Sequence, residues 1–120
     1  MGPPNGTPQA SPEVQRIYFD VVARSADTSG LKAPMTVQWK FSDADPWHVR
    51  LDNGSTAALP GLAEHADVTM ETSWPDWIEI SMRGADMRRA VLHRRVRPRG
   101  SLRALRRMRS VWVPRRKPVG

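Results

Sequence analysis

The chain contains no cysteine, which excludes a disulfide framework, a thiolate metal site and a thiol nucleophile. A reducing, cytoplasmic setting is therefore expected. Its apolar runs are only a few residues long, too short for a membrane-spanning helix. At 120 residues there is room for one compact domain and hardly for two. Residues 1–10 are rich in proline, glycine and asparagine, carry no readable secretory signal, and are expected to form a disordered leader.

Acidic residues are almost missing from the C-terminal third. From Arg83 to Lys117 there are fourteen lysines and arginines and one acid, Asp86, whereas residues 1–82 carry five basic and eleven acidic groups. An anionic partner is therefore expected at the C-terminal end. Nucleic acid, an anionic lipid headgroup, a carboxylate and a phosphorylated cofactor all satisfy this charge pattern.

The N-terminal half is predicted to be a helix followed by strands. Ser11-Pro12-Glu13 is a typical helix start, with a capping hydroxyl, an early proline and an acid in the first turn. The side of this helix that faces the core is expected to carry Val14, Ile17, Tyr18, Val21 and Val22. Alternating apolar and polar residues then predict strands over 35–41, 47–51 and 66–71, and Asp52-Asn53-Gly54 predicts a tight turn into a return strand.

Helical signals dominate the C-terminal half. Ser73 is predicted to cap a helix that ends at Gly84, and a second short helix is predicted over 86–93. A brief strand follows over 96–100, where Pro98 indicates an edge or irregular strand. Ser101 is expected to cap a last helix that Pro114 stops. Its apolar stripe is predicted to be Leu102, Leu105, Met108 and Trp112.

This order predicts an α+β domain over 11–113, with about five mostly antiparallel strands covered on one face by helices. A basic, flexible tail is expected over 114–120. Several motifs resemble those of the sterol carrier protein 2 (SCP2-like) family, over roughly residues 14–112. They are Ala66-Asp67 at the opening of the fourth strand, a glycine after the first middle helix, and the small basic strand from Arg94 that closes in Gly100.

The resemblance implies an apolar cavity between sheet and helices that binds fatty acyl chains, acyl-CoA or sterol-like lipids. Five tryptophans and six methionines supply adaptable apolar walls for such a cavity. The expected lining is drawn from the helices and consists of Trp77, Ile80, Met82, Met87, Val91, Leu105, Met108 and Trp112. The residues expected to contact a polar headgroup are Arg88, Arg89, Arg94 and Arg103.

No feature of the sequence points to catalysis. The three histidines are far apart in the sequence, which argues against a metal site, and there is no nucleophile elbow, phosphate loop or dinucleotide fingerprint. A non-catalytic, monomeric lipid carrier without a cofactor is therefore predicted, with an anionic membrane surface as a further partner. Two alternatives stay open: an interaction module that binds nucleic acid or an acidic partner through its arginines, and an enzyme acting on a cavity-bound lipid or polyketide-like substrate.

Overall fold

The computed structural model describes residues 10–82 and 86–112. The predicted order of elements is confirmed, with small shifts at their ends. The elements are α1 (Pro12–Ser25), β1 (Met35–Phe41), β2 (Trp47–Asp52), β3 (Ser55–Pro60), β4 (Val68–Thr72), α2 (Trp74–Met82), α3 (Met87–Leu92), β5 (Val96–Gly100) and α4 (Leu102–Trp112). Gly84, Pro114 and the predicted tail lie outside the described residues. Of the predicted leader only Ala10 is described, and it packs against the core.

The five strands form one sheet in the order β3-β2-β1-β4-β5. The β1–β4 pair is parallel, and the other three pairs are antiparallel, so the predicted mostly antiparallel sheet is confirmed. Strand β1 is therefore central. Its residues Met35, Val37 and Trp39 are buried on one face, and aromatic residues of α1, α2 and α4 pack against that face.

The core-facing side of helix α1 is confirmed in part, since Val14, Tyr18 and Val22 pack against the core. Its buried residues are Gln15, Phe19 and Ala23, whereas Ile17 and Val21 are 67% and 52% exposed. The large ring of Phe19 takes the core position because it packs against aromatic residues of the sheet. Gln15 is tolerated at the same side because its amide donates a hydrogen bond of 2.9 Å to a backbone carbonyl outside the helix.

Side chains cap the helices as predicted. Ser11 Oγ accepts a hydrogen bond from the Val14 N–H at 3.2 Å, and Ser101 Oγ accepts one from the Ala104 N–H at 3.0 Å. The carboxylate of Asp43, in the β1–β2 loop, accepts the Trp74 N–H at 2.8 Å and so fixes the start of α2.

Asp67 and Gly100 lie where β4 meets its two neighbouring strands, β1 and β5. The Asp67 carboxylate accepts the Thr36 N–H at 2.8 Å, and the Asp67 N–H donates to the Thr36 carbonyl at 2.9 Å. This double contact fastens the start of β4 to the start of β1. Gly100 lies opposite Val68 with φ +147, and a Cβ there would lie 2.6 Å from the Asp67 carbonyl oxygen. Only glycine allows β5 to end this close to β4.

Within the described residues, no helix combines the length and the apolar character needed to cross a membrane.

Candidate functional site

The space between the sheet and the helices is filled largely by aromatic side chains, which we call the aromatic layer. Strand residues supply its floor and helix residues its roof. The layer consists of Tyr18, Phe19, Trp39, Phe41, Trp47, Trp74, Trp77 and Trp112. Most of these rings meet edge to face or tilted, and Phe19 and Trp47 are stacked at 5.2 Å. Such offset and edge contacts are the arrangements that aromatic rings prefer.

Trp39 lies at the centre of the aromatic layer. Its ring centroid is 5.2 Å from that of Phe19, 5.9 Å from that of Trp77 and 6.0 Å from that of Trp112. Its side chain is 2% exposed, and its indole Nε1 has no hydrogen-bond partner among the described residues. By contrast, Trp112 Nε1 donates to the Val22 carbonyl at 3.0 Å.

The strand residues of this layer were not among the predicted lining residues, which were all taken from helices. The signal for them is in the sequence, since alternation along β1 places Trp39 on the same face as Met35 and Val37.

The predicted lining residues fall into two groups in the structure. Trp77 and Ile80 of α2 are 7% and 6% exposed. Three residues of α4 are partly buried against the core: Leu105, Met108 and Trp112. The remaining three are exposed to different degrees: Met82 (65%), Val91 (39%) and Met87 (36%). Five of the eight therefore border the layer between sheet and helices, and three lie on the outer surface.

The predicted headgroup arginines do not form one cluster. All four of them, Arg88, Arg89, Arg94 and Arg103, are exposed. Arg94 precedes β5 and Arg103 follows it, so these two lie at opposite ends of a five-residue strand, about 15 Å long or more. A small headgroup cannot reach both.

Helix α3 presents apolar and basic side chains together. Only Ala90 of this short helix is buried, while Val91 and Leu92 are 39% and 78% exposed and stand next to exposed Arg88 and Arg89. We call the exposed residues Met87, Arg88, Arg89, Val91 and Leu92 the α3 surface. Its combination of apolar and cationic groups is typical of interfacial binding.

An open groove of about 450 Å³ lies where β1 and β4 end and β5 begins. Its lining includes Lys40, Ser73, Arg94 and Arg97. Its three other charged lining residues, Glu71, Asp76 and Arg95, are already paired. Arg95 donates to Asp76 at 2.9 Å and to Glu79 at 3.0 Å, and Arg99 donates to Glu71 at 2.8 Å.

These ion pairs affect the pKa values of their members. The hydrogen bond from Arg99 lowers the pKa of Glu71 below its ordinary value, and the hydrogen bond to Asp76 raises the pKa of Arg95. Both effects keep the groups charged at neutral pH, so these pairs fasten β5 to α2 and β4.

Polar residues elsewhere have structural partners. Ring nitrogen Nδ1 of His48 lies 2.8 Å from the Gly61 carbonyl oxygen, and the Gln38 amide oxygen accepts the Ala63 N–H at 2.9 Å. The loop after β3 thus covers part of the outer sheet face. Within residues 10–82 and 86–112, no three histidine or carboxylate side chains converge as a metal site would require.

Comparison with known proteins identifies the fold. The model of the SCP-2 sterol transfer family matches residues 22–112. The structure is similar to sterol carrier protein 2 like 2 from Aedes aegypti, with 19% identity, 82% of this chain and 94% of that chain covered, and a TM-score of 0.58. It is also similar to sterol carrier protein 2 from Yarrowia lipolytica, with 15% identity, coverages of 87% and 93%, and a TM-score of 0.55.

A larger enzyme contains a similar domain. The stereoselective inverting sec-alkylsulfatase Pisa1 from Pseudomonas sp. matches with 26% identity and a TM-score of 0.66 over 79% of this chain. This chain spans only 16% of the length of that sulfatase. No curated protein sequence matches this chain.

Proposed function

The chain belongs to the SCP-2 sterol transfer family, and from this premise we propose that it binds and carries one apolar lipid between its sheet and its helices, without chemistry of its own. The ligand is a fatty acyl chain, an acyl-CoA or a sterol-like lipid. The observation that carries the proposal is the aromatic layer together with the partly buried apolar stripe of α4.

The α4 stripe is suited to admitting a ligand. Three of its four predicted residues, Leu105, Met108 and Trp112, touch the core and are still partly open to solvent, whereas the fourth, Leu102, is 75% exposed. The buried residues of α4 are Ala104 and Val111. The three partly buried side chains can make way for an apolar chain without uncovering the whole sheet. Methionine suits such a wall because its side chain is unbranched and adaptable.

The energetics favour a ligand held mainly by its tail. Burying a fatty tail gains roughly 0.8 kcal/mol per methylene group, on the order of 12 kcal/mol in all. Association costs about 4–15 kcal/mol, and at the lower end of that range about 8 kcal/mol remain, which corresponds to a micromolar dissociation constant. An exposed arginine adds about 1 kcal/mol or less, so it orients a headgroup and does not determine affinity.

We assign the lining in two parts. Trp77 and Ile80 form the inner wall, and the three partly buried residues of α4 form the side that opens. Met82, Met87 and Val91 lie at the outer margin, where a ligand would enter. Arg94 is the best placed of the predicted headgroup contacts because it borders the open groove, with Arg88 and Arg89 close to it in sequence.

The similarity to a sec-alkylsulfatase supports adding an alkyl sulfate to the ligands that are tested. That enzyme's name indicates a substrate with an alkyl chain and an anionic group. The same two features match an apolar layer beside a basic surface. In that reading the chain would hold such a molecule, and any cleavage would belong to other parts of the sulfatase.

The test is native mass spectrometry of the freshly purified full chain, followed by organic extraction and titration with palmitate, palmitoyl-CoA, a sterol and a secondary alkyl sulfate. We expect a co-purified lipid mass or saturable binding that survives moderate salt. Met108→Trp, which fills space beside the layer, should weaken binding several-fold. Val21→Trp, on the exposed side of α1, is the matched control and should leave it unchanged. Equal affinities of both variants would contradict the proposed lining.

The α3 surface favours a second candidate function, docking on an anionic membrane from which the lipid is collected. Exposed Val91 and Leu92 beside Arg88 and Arg89 supply apolar and electrostatic contributions together. Sedimentation with phosphatidylserine-containing vesicles should retain the protein, and Arg88→Glu with Arg89→Glu should release it. Equal binding to neutral vesicles, or equal binding of the double variant, would contradict this function.

A further inference from the structure

The indole N–H of Trp39 is a buried hydrogen-bond donor without an acceptor among the residues that the structure describes. The side chain is 2% exposed and projects from the middle of the central strand into the aromatic layer. A buried donor without a partner costs about 1–3 kcal/mol, because it has left water and gained nothing in return. A phenylalanine at the same place would fill the aromatic layer without this cost.

None of the ring neighbours of Trp39 can satisfy the donor. Phenylalanine has no polar atom and the tryptophan indole is a donor only, so Phe19, Trp77 and Trp112 offer no acceptor atom in their side chains. Across the sheet, Trp39 is flanked by Trp47 and Met70, and the thioether of methionine is a weak acceptor. The side chains around the indole therefore leave its N–H for an acceptor supplied from outside the chain.

The indole of Trp77 is a weaker guide. Its Nε1 likewise makes no hydrogen bond within the described residues. It does lie close enough to the hydroxyl of Tyr18 to lower the pKa of that group, against the larger raising effect of burial. Trp77 thus has a polar neighbour in Tyr18, whereas the ring neighbours of Trp39 offer no acceptor atom in their side chains.

The buried surroundings also limit the charge of the missing acceptor. Within residues 10–82 and 86–112 the buried polar residues are Gln15, Thr28, Gln38, His48 and Thr72, and no lysine or arginine is among them. A carboxylate or sulfate brought to the centre of this layer would be desolvated without a cation beside it, at high cost. A neutral oxygen avoids that cost and still accepts a hydrogen bond.

We propose that a neutral oxygen of the bound lipid, in an ester or ketone carbonyl or a hydroxyl, accepts a hydrogen bond from Trp39 Nε1 in the middle of the aromatic layer. This proposal rests on the proposed lipid-binding function and adds the functional group that the ligand carries. The ligand is then not a plain hydrocarbon tail inside the protein. Any anionic headgroup stays outside with the arginines, while the neutral oxygen fixes how deeply the molecule lies.

The test uses three ligands with equal numbers of carbon atoms: heptadecane, dioctyl ketone and methyl palmitate. Each is delivered from cyclodextrin to the full chain, and its affinity is measured by displacement of a fluorescent fatty acid. The wild-type protein should prefer the ketone and the ester to the alkane. Trp39→Phe removes the N–H and keeps an aromatic ring, so it should lose about threefold to tenfold of affinity for the two oxygenated ligands and little for heptadecane.

Trp112→Phe is the matched control. Its indole also borders Trp39, but its N–H already donates to the Val22 carbonyl. Its removal should change the three affinities by a common factor and leave the preference for oxygen intact. A loss of preference in this control as large as that in Trp39→Phe would overturn the assignment to Trp39.

A second measurement needs no variant for its readout and covers the case in which Trp39→Phe does not fold. The indole N–H resonance of Trp39 in the wild-type protein should move downfield on addition of dioctyl ketone and not on addition of heptadecane. Equal shifts with both ligands would overturn the proposal, as would a resonance already at a hydrogen-bonded position that neither ligand changes, which would indicate a water molecule. Binding of all three ligands without discrimination refutes only the oxygen contact. If none of these three ligands binds, and palmitate, palmitoyl-CoA, the sterol and the secondary alkyl sulfate also fail to bind, the lipid-binding function itself is refuted.

Discussion

Replacement of Gly100 by alanine should destabilise the protein strongly, because two separate costs coincide there. The residue has φ +147, and a Cβ would lie 2.6 Å from the Asp67 carbonyl oxygen and 3.4 Å from the Val68 Cα. The backbone conformation alone costs about 1–3 kcal/mol for a residue other than glycine. The close atoms belong to the backbone of the neighbouring strand, so they cannot swing aside, and we expect a total of about 2–4 kcal/mol.

Two other glycines separate these costs. Gly54 has φ +78 and Gly30 has no such φ, and a Cβ at either meets nothing within 4 Å. Gly54→Ala should therefore cost about 1–2 kcal/mol from conformation alone, and Gly30→Ala should stay within about 0.5 kcal/mol of the wild type.

Urea unfolding followed by tryptophan fluorescence measures all three variants on one scale. The expected order of stability is Gly30→Ala, then Gly54→Ala, then Gly100→Ala, and the last should lower the melting temperature by roughly 10–20 °C. If Gly100→Ala were as stable as Gly54→Ala, the close approach of β5 to the start of β4 would not exist in solution. Glycine would then not be required at position 100 by the contact between β5 and β4.

Three further predictions concern single contacts. Burial raises the pKa of Tyr18 above 10.0, so the chain's one tyrosine should titrate above that value in the folded protein and near it in urea. Because the tyrosine of the unfolded state ionises first, stability should fall as the pH rises past about 10. Equal titration midpoints for the folded and the unfolded protein would contradict the burial. The pKa of Glu71 is lowered from its ordinary value of 4.5, so its pair with Arg99 stabilises the fold fully at a pH above that value and is lost as the pH falls through the lowered pKa. Arg99→Met should therefore cost less than about 1 kcal/mol of stability at neutral pH. A stability difference between variant and wild type that persists in acid would refute the pairing. Asp67→Ala should cost about 1–2 kcal/mol in urea unfolding because the Thr36 N–H loses its acceptor; no loss would mean that water replaces the carboxylate.

The order of the elements was predictable because each strand carries its own alternation and each helix its own cap. Ser101, for example, marks the start of α4 with a hydroxyl that bonds three residues ahead. Signals of this kind are local, so they can be interpreted from the sequence without knowledge of the rest of the fold.

The orientation of α1 was not predictable in the same way. A stripe through Ile17 and Val21 and a stripe through Phe19 and Ala23 are both apolar, and the sequence does not say which one meets the sheet. The outcome depends on partners distant in the chain. Gln15, for example, is tolerated in the core because its amide donates a hydrogen bond to the Asp45 carbonyl oxygen, thirty residues away. Tertiary packing decides between the two sides.

The sequence pattern predicted the burial of some helical residues of the candidate site but not their surroundings. Trp77 and Ile80 are buried, and their role as a ligand lining stays a prediction. The unsatisfied indole of Trp39 was beyond the reach of the sequence, because a missing hydrogen bond is a property of the assembled surroundings and not of the residue. The separation of Arg94 from Arg103 could have been predicted, because the strand expected over 96–100 lies between them; assigning both arginines to one headgroup overlooked the length of that strand.

Pro98 has a consequence for how this domain behaves beside other copies of itself. Among the strands of the described residues, β5 is at one edge of the sheet, and an edge strand of that kind invites pairing with another chain. Proline has no amide hydrogen to offer to an incoming strand, and it is flanked by the positive charges of Arg97 and Arg99. Two β5 edges from different copies would repel each other electrostatically and would lack one N–H donor for the hydrogen bonds between them. This edge of the sheet therefore resists pairing between copies even at high protein concentration.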